Sequence, residues 1–247
     1  MNNKQKEAAI TVQNLVINYK NIQKFSIRKS LFSARKPTDF TAVNNVSFEI
    51  TEGEIVGICG KNGSGKSTLL RAIAGIFSAD QGTIDLHNNS ISLLSIGVGF
   101  QRMLSGRANI FLSGLLLGFT EKQIKEKYEE IVEFSELGDF IDKPVASYSS
   151  GMYSKLAFSI TAILETNIML IDEVLSVGDV NFREKSYNKM KELIQAEDRT
   201  VVIVSHSSYT LKDLCDRVIW IHDGVVKDIG DPTKVVDAYE EFMHNQI

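Results

Sequence analysis

The stretch of sequence that decides the fold is EIVGICGKNGSGKS, which occupies residues 54–67. It begins with a short apolar run at 54–59, typical of a strand that is covered on both faces in a parallel sheet. Residues 60–67 then fit the pattern G-x-x-x-x-G-K-[ST], whose glycines let backbone N–H groups turn toward an anion. A helical pattern follows at 67–76, and the dipole at a helix N-terminus also favours an anion. Strand, loop and helix in this order predict a phosphate-binding loop.

The loop is expected to bind the phosphates of a nucleotide together with Mg²⁺. Lys66 is expected to reach the β- and γ-phosphates, and the Ser67 hydroxyl is expected to ligate Mg²⁺. A Gly-rich turn without a ligand is the alternative, which the flanking strand and helix disfavour. The residues expected to contact the nucleotide here are Gly60, Lys61, Asn62, Gly63, Ser64, Gly65, Lys66, Ser67 and Thr68.

A second apolar strand, at 168–171, ends in two acidic residues, Asp172 and Glu173. Ligands of open α/β sheets bind at the carboxyl ends of the strands, so both carboxylates are expected near the phosphate-binding loop. Asp172 is expected to hold the Mg²⁺ shell, and Glu173 to orient or deprotonate an attacking water. A strand can also end in an Asp that only caps a helix. The upstream phosphate-binding loop favours the catalytic interpretation.

Strands and helices alternate along most of the chain, which predicts the α/β fold class. We expect a mostly parallel core sheet around the phosphate-binding loop, with an N-terminal antiparallel β part that includes predicted strands at 10–19 and 43–50. We expect a single domain over 1–247, with a basic insert at about 20–38, a helical subdomain at about 102–165 and a C-terminal helix at about 231–247.

The composition excludes several classes of protein. With 43% hydrophobic and 23% charged residues in 247, the chain is neither collagen-like nor wholly disordered. Its longest apolar runs fall short of the roughly 18–20 residues that cross a bilayer, and no signal peptide is recognisable at the start. Two cysteines suit a reducing compartment. We therefore expect an intracellular protein.

Charge is unevenly spread along the chain. The net charge of −4 argues against nucleic acid as a partner, yet residues 1–40 carry a net charge of +6. The basic residues of the insert are Lys20, Lys24, Arg28, Lys29, Arg35 and Lys36. Each would contribute about 1 kcal/mol of attraction near an anionic leaflet, so the insert is expected to face a membrane. A solvated loop is the alternative.

The segment Tyr-Ser-Ser-Gly-Met at 148–152, hereafter the signature segment, lies between the two phosphate motifs and opens a helix. Alone it is an ordinary helix cap. In this position it resembles the signature motif of the ATP-binding subunits of ABC transporters, usually Leu-Ser-Gly-Gly-Gln. Ser149 and Gly151 match that motif, and Tyr148, Ser150 and Met152 depart from it. The variant is similar to that of bacterial exporters of teichoic acid, O-antigen and capsule polymers.

The resemblance implies further site residues. Gln101, in GVGFQRMLSGRANI, matches a residue that contacts Mg²⁺ and the transmembrane partner. His206 matches a residue that contacts the γ-phosphate, and Asp179 one that faces the opposite subunit. Ser149, Ser150 and Gly151 would contact the nucleotide as well. An aromatic residue upstream would stack on adenine, and we choose Tyr19 over Phe40.

The resemblance implies an ATP hydrolase that powers export of a lipid-linked polysaccharide. Two copies would form a head-to-tail dimer, each binding Mg-ATP between the phosphate-binding loop of one subunit and the signature segment of the other. The dimer would work with a separate integral membrane permease, peripherally on the cytoplasmic side of the inner membrane. The sequence does not identify the polymer or the permease. The alternatives are the ATPase of another type of ABC transporter and a non-transport ABC ATPase acting on DNA or ribosomes.

Overall fold

The computed structural model describes residues 7–19, 40–94, 99–172, 179–194 and 199–245. The predicted basic insert at 20–38 and the predicted general base Glu173 lie outside these residues. Both therefore stay predictions from the sequence. Within the described ranges, no helix combines the length and the apolar character needed to cross a membrane.

The bounds of the elements follow the predicted alternation of strands and helices closely. The strands are β1 (Ala8–Tyr19), β2 (Phe40–Thr51), β3 (Ile55–Cys59), β4 (Gln81–Asp85), β5 (Ile91–Leu94), β6 (Ile168–Asp172), β7 (Thr200–Val204), β8 (Arg217–His222) and β9 (Val225–Gly230). The helices are α1 (Lys66–Ile73), α2 (Gly106–Leu116), α3 (Glu121–Ser135), α4 (Ser150–Ile163), α5 (Val180–Ile194), α6 (Ser208–Leu214) and α7 (Pro232–His244).

The strands form two sheets. An antiparallel sheet has the order β2-β1-β4, and a larger sheet has the order β5-β6-β7-β3-β8-β9. In the larger sheet every neighbouring pair is parallel except β8 and β9, which form a hairpin. The predicted fold class is thereby confirmed: an α/β fold with a mostly parallel core sheet and an N-terminal antiparallel part.

Both faces of the larger sheet are covered, which explains why its central strands are apolar throughout. The antiparallel sheet and α1 pack on one face, where Ile58 and Leu70 lie in the same cluster as Ile10. Helices α4 to α7 pack on the other face, where Phe158 and Phe182 are fully buried. All five residues of β7 are consequently buried, as expected for a strand inside a parallel sheet.

Helices α2, α3 and α4 share an apolar cluster of their own, distinct from the two faces of the larger sheet. Ile110, Ile124 and Leu156, one from each helix, are completely buried in it. Helix α3 begins at a capping box, in which Thr120 and Gln123 satisfy each other's backbone N–H groups. It ends at Glu136, whose φ of 57° lies in the left-handed region.

The carboxyl ends of three adjacent parallel strands meet at one edge of the larger sheet. Strand β7 lies between β6 and β3, with Val204 in register with Asp172 on one side and with Ile58 on the other. The loop at 60–65 and His206 follow these strand ends directly. The topology therefore places the phosphate-binding loop, Asp172 and His206 along one edge.

Candidate functional site

The phosphate-binding loop wraps around the side chain of Lys66. Its ammonium group donates hydrogen bonds to the carbonyl oxygens of Gly60 at 2.7 Å and Lys61 at 2.9 Å. Lys66 is buried although it is charged. Its hydrogen bonds offset the free energy that burying a charge costs. The loop thus holds a cation at the N-terminus of α1, where an anion would also meet the helix dipole.

Gly63 and Gly65 of the loop both have a positive φ, but only Gly65 lies against neighbouring backbone. Their alanine variants therefore form a matched pair. Gly65 has a φ of 103°, and a Cβ atom there would lie 2.2 Å from the Ala42 carbonyl oxygen. Gly63 has a φ of 77°, but a Cβ atom there would meet nothing within 4 Å. We expect Gly65→Ala to lower the free energy of unfolding by about 3 kcal/mol or more, and Gly63→Ala by only about 1–2 kcal/mol. Urea unfolding would measure both, and equal losses would contradict the role of the close contact with Ala42.

The predicted Mg²⁺ ligands come together across the sheet edge. The Ser67 hydroxyl, on the first turn of α1, donates a hydrogen bond to Asp172 Oδ1 at 3.3 Å. A hydroxyl and a carboxylate are hard oxygen donors, and Mg²⁺ is commonly bound by one or two such groups together with phosphate oxygens and water. This donor set therefore fits Mg²⁺ bound with a nucleotide.

A cleft of about 440 Å³, hereafter the phosphate cleft, opens over the loop and brings predicted nucleotide and Mg²⁺ contacts together. It is lined by Tyr19, Phe40, Ala42, Asn62, Gly63, Gly65, Lys66, Ser67, Thr68, Asp172, Val204 and His206. Tyr19 and Phe40 are paired in register on β1 and β2, so both candidate adenine contacts border the same cleft. The Tyr19 hydroxyl lies 3.1 Å from Thr68 Oγ1, and its ring meets Phe77 edge to face.

The residues predicted in and near the signature segment lie in another part of the molecule. Ser149, Gly151 and Asp179 line a second cleft of about 510 Å³ together with Lys155. Ser149 caps α4 by accepting a hydrogen bond from the Met152 backbone N–H at 3.2 Å. The second cleft shares no lining residue with the first. One chain therefore carries the two predicted halves of a nucleotide site on separate surfaces.

Ion pairs connect the charged residues that lie at the second cleft. Lys155 Nζ lies 3.0 Å from Glu136 Oε2 and 2.8 Å from Asp179 Oδ2, and Lys185 Nζ lies 3.0 Å from Glu136 Oε1. The two lysines hold the pKa of Glu136 below its usual range. Lys155, together with the backbone N–H of Phe182, likewise lowers the pKa of Asp179. The sequence analysis did not identify Lys155 or Glu136, because partners that lie far apart in the chain leave no local pattern.

Gln101, for which the resemblance implies a contact with Mg²⁺, is not among the residues that line the phosphate cleft. Its backbone is instead bound to Asn109, a fully buried residue on α2 that the sequence analysis also missed. The sequence could have shown that Asn109 is a polar residue on the buried side of α2 next to Ile110, although it does not show which group binds it. Buried polar side chains are almost always hydrogen-bonded, so such a position calls for a partner.

Comparison with known proteins decides the family. Residues 43–176, more than half of the chain, match the family model described as ABC transporter. The chain belongs to the ABC transporter family. Among curated ABC proteins, the "Teichoic acids export ATP-binding protein TagH" of Lactococcus lactis is 48% identical over 211 residues, covering 85% of this chain but 45% of its own length. The "O-antigen export system ATP-binding protein RfbB" of Klebsiella pneumoniae is 39% identical over 215 residues, covering 87% of both chains.

Solved ABC cassettes share the fold. The dimeric post-hydrolysis structure of the ATP-binding cassette MJ0796, bound to ADP and Pi, gives a TM-score of 0.68 at 21% identity and covers 90% of this chain and 98% of the other. The "Structure of ATP binding subunit of ABC transporter" gives a TM-score of 0.72 at 20% identity, with 94% and 93% coverage. The predicted resemblance to ATP-binding subunits of polysaccharide exporters is confirmed by the curated relatives. The chain spans less than half the length of the TagH relatives from Lactococcus lactis and Bacillus anthracis.

Proposed function

We propose that this ABC protein hydrolyses ATP to power export of a lipid-linked polysaccharide through a separate membrane permease. The observation that carries the proposal is the cleft in which the phosphate-binding loop, the Ser67–Asp172 pair and His206 meet. The relatives named as export ATP-binding proteins supply the class of cargo, namely teichoic acids and O-antigen.

Each residue of the cleft has its own proposed role in phosphoryl transfer. Lys66, held at the loop by two carbonyl oxygens, is positioned to neutralise the β- and γ-phosphates. Ser67 and Asp172 would hold Mg²⁺, with Gln101 as a further ligand once its loop approaches the cleft. When bound, Mg²⁺ draws charge from the phosphate oxygens and fixes their orientation. His206 would contact the γ-phosphate, and Glu173 would activate the attacking water.

Tyr19 is the residue that we propose to stack on adenine. Its hydroxyl contact with Thr68 ties the ring to α1, the helix that presents Lys66 and Ser67 to the phosphates. Phe40 lies opposite Tyr19 and is more exposed, 58% against 43%. A ring held in place loses less entropy when a base stacks on it, which favours Tyr19. Such stacking is worth about 1–3 kcal/mol and tolerates any base.

We propose that two copies assemble head to tail. The phosphate cleft of one chain contains no signature residue, whereas Ser149, Gly151 and Asp179 line a different cleft. In a head-to-tail dimer, Ser149, Ser150 and Gly151 at the N-terminus of α4 would face the nucleotide of the partner, because a helix start suits an anion. Asp179 would face the partner subunit beside them.

A separate permease is proposed to dock where large apolar side chains are exposed beside Gln101. Met103 is 82% exposed, and Leu104, Leu115 and Leu116 are also exposed. Gly99 packs against Leu116, so the chain from 99 to 104 runs beside α2 and brings these side chains to one region. Large apolar side chains that are exposed in one region mark interaction sites. The protein would thus lie peripherally on the cytoplasmic side of the membrane, with the basic insert at 20–38 facing the lipid.

Reconstitution with a permease tests the proposed function. We expect the ATPase rate of the chain, bound to its permease in vesicles, to rise several-fold when a lipid-linked glycopolymer is added. The physical reason is linkage: cargo that binds one state of the transporter better shifts the population toward that state. Vesicles with lipid carrier lacking the polymer are the control. Stimulation by a small solute but not by a glycopolymer would instead favour another type of ABC transporter.

A further inference from the structure

Asn109 is fully buried, and its side-chain amide forms hydrogen bonds to a single loop, residues 101–105. Its Oδ1 accepts a hydrogen bond from the Gln101 backbone N–H at 2.7 Å. Its Nδ2 lies 3.1 Å from the carbonyl oxygen of Gln101, 3.2 Å from that of Leu104 and 2.8 Å from that of Ser105. One side chain therefore closes both ends of the loop that carries Gln101, which we call the Gln loop.

The Gln loop is joined in turn to the chain that leads into the signature segment. The backbone N–H of Val145 donates to the carbonyl oxygen of Leu104 at 2.9 Å, and that of Ala146 donates to Arg102 at 2.7 Å. The backbone N–H of Gly106, which follows the Gln loop, donates to Lys143 at 3.2 Å. These hydrogen bonds connect two stretches that are about 40 residues apart in the sequence.

The connection continues to Ser149. The Tyr148 hydroxyl donates to the Phe140 carbonyl oxygen at 2.7 Å, and the Tyr148 N–H donates to Val145 at 3.0 Å. A Cβ atom at Gly106 would lie 2.3 Å from the Tyr148 hydroxyl oxygen, so the glycine is what lets this ring approach α2. Ser149 follows at once and caps α4. The Gln loop and the signature segment are thus held by one continuous set of hydrogen bonds.

We propose that Asn109 is a positioning residue that makes the Gln loop and the signature segment move as one unit. The inference rests on the proposed function, in which Gln101 serves the nucleotide of its own subunit and Ser149 serves that of the partner. A nucleotide that draws Gln101 toward one cleft would then shift the surface offered to the other cleft. Asn109 itself lines neither cleft, so it acts through the loop that it holds.

Hydrogen exchange of the unmodified chain tests the link directly. We expect Mg²⁺ with a non-hydrolysable ATP analogue to slow exchange of the amides in peptide 143–148 by about tenfold, alongside those of 60–68. Peptide 121–135, from α3 in the same helical cluster, is the internal control and should not change. If 60–68 does not respond, the proposed function fails. If 60–68 responds and 143–148 does not, the role of Asn109 fails.

Substitutions at adjacent buried positions of α2 then isolate Asn109. In Asn109→Ala we expect the analogue no longer to slow the exchange of 143–148. The analogue concentration that gives half of the protection of 60–68 should change by less than about twofold, because Asn109 does not line the phosphate cleft. Ile110→Val and Ile110→Ala, which weaken the same helix without removing a hydrogen bond to the Gln loop, should keep the response. If they also lose it, Asn109 has only a structural role. If Asn109→Ala does not fold, Asn109→Leu takes its place, because it has a similar volume and forms none of the hydrogen bonds to the Gln loop.

Discussion

Replacing Glu173 by Gln is expected to lower ATP turnover by about 10²- to 10⁴-fold while ATP binding is retained. Glu173 follows Asp172 directly at the carboxyl end of β6, and Asp172 lies at the cleft that contains Lys66 and His206. The amide of Gln has nearly the shape of the carboxylate, but it cannot accept a proton from the attacking water. The groups that bind the phosphates are unchanged by this substitution.

The measurement is a pair of assays on the same preparation: steady-state phosphate release, and equilibrium binding of a fluorescent ATP analogue. Glu184→Gln is the matched control, because it makes the same chemical change at an exposed position on α5. It should hydrolyse ATP at the unmodified rate. Turnover by Glu173→Gln at the rate of the control would remove Glu173 as the general base. Loss of binding together with turnover would show that Glu173 holds the nucleotide instead.

Mixing two inactive variants is expected to restore ATPase activity to about a quarter of the unmodified rate. Lys66→Ala removes the cation of the phosphate-binding loop. Gly151→Asp places a negative charge in the first turn of α4, where the helix tolerates an acid but a phosphate would be repelled. Each variant alone has two damaged sites in a head-to-tail dimer. In a mixed dimer, one site combines an intact loop with an intact signature segment.

The control for this experiment is a mixture of Lys66→Ala with the double variant Lys66→Ala, Gly151→Asp. No dimer in that mixture has an intact phosphate-binding loop, so it should stay inactive. In an equal mixture of Lys66→Ala and Gly151→Asp, half of the dimers contain one chain of each variant. Each of these mixed dimers has one working site of two, so about a quarter of all sites are active. Activity no greater than that of the control would contradict the composite site and the head-to-tail arrangement.

The phosphate cleft was largely predictable because its determinants are local. A glycine pattern between an apolar strand and a helix specifies the loop, and an acid at the end of a second buried strand must lie at the same sheet edge. The choice between Tyr19 and Phe40 was not predictable from this pattern. The structure explains why: the two residues face each other in register, at the ends of β1 and β2 that border the cleft.

The polar contacts that organise the rest of the site were not predictable from the sequence. Asn109 and Lys155 belong to helices whose pattern predicts only which side is buried, whereas their partners come from segments remote in the chain. The His222 ring packs 4.9 Å from that of Phe242 and is only 17% exposed, a burial that no local sequence pattern indicates. Such contacts depend on tertiary packing, and a single sequence carries little signal for them.

In the proposed head-to-tail dimer, the charge cluster at the second cleft would affect how fast the two subunits associate. Lys155 already holds Glu136 and Asp179 in the isolated chain, so these groups lose little further freedom when a partner arrives. Asp179 is 62% exposed, and ion pairs open to solvent weaken as added salt screens them. High ionic strength would leave the interface less ordered before encounter. The association rate of the subunits, more than their affinity for ATP, is therefore the property that salt should control.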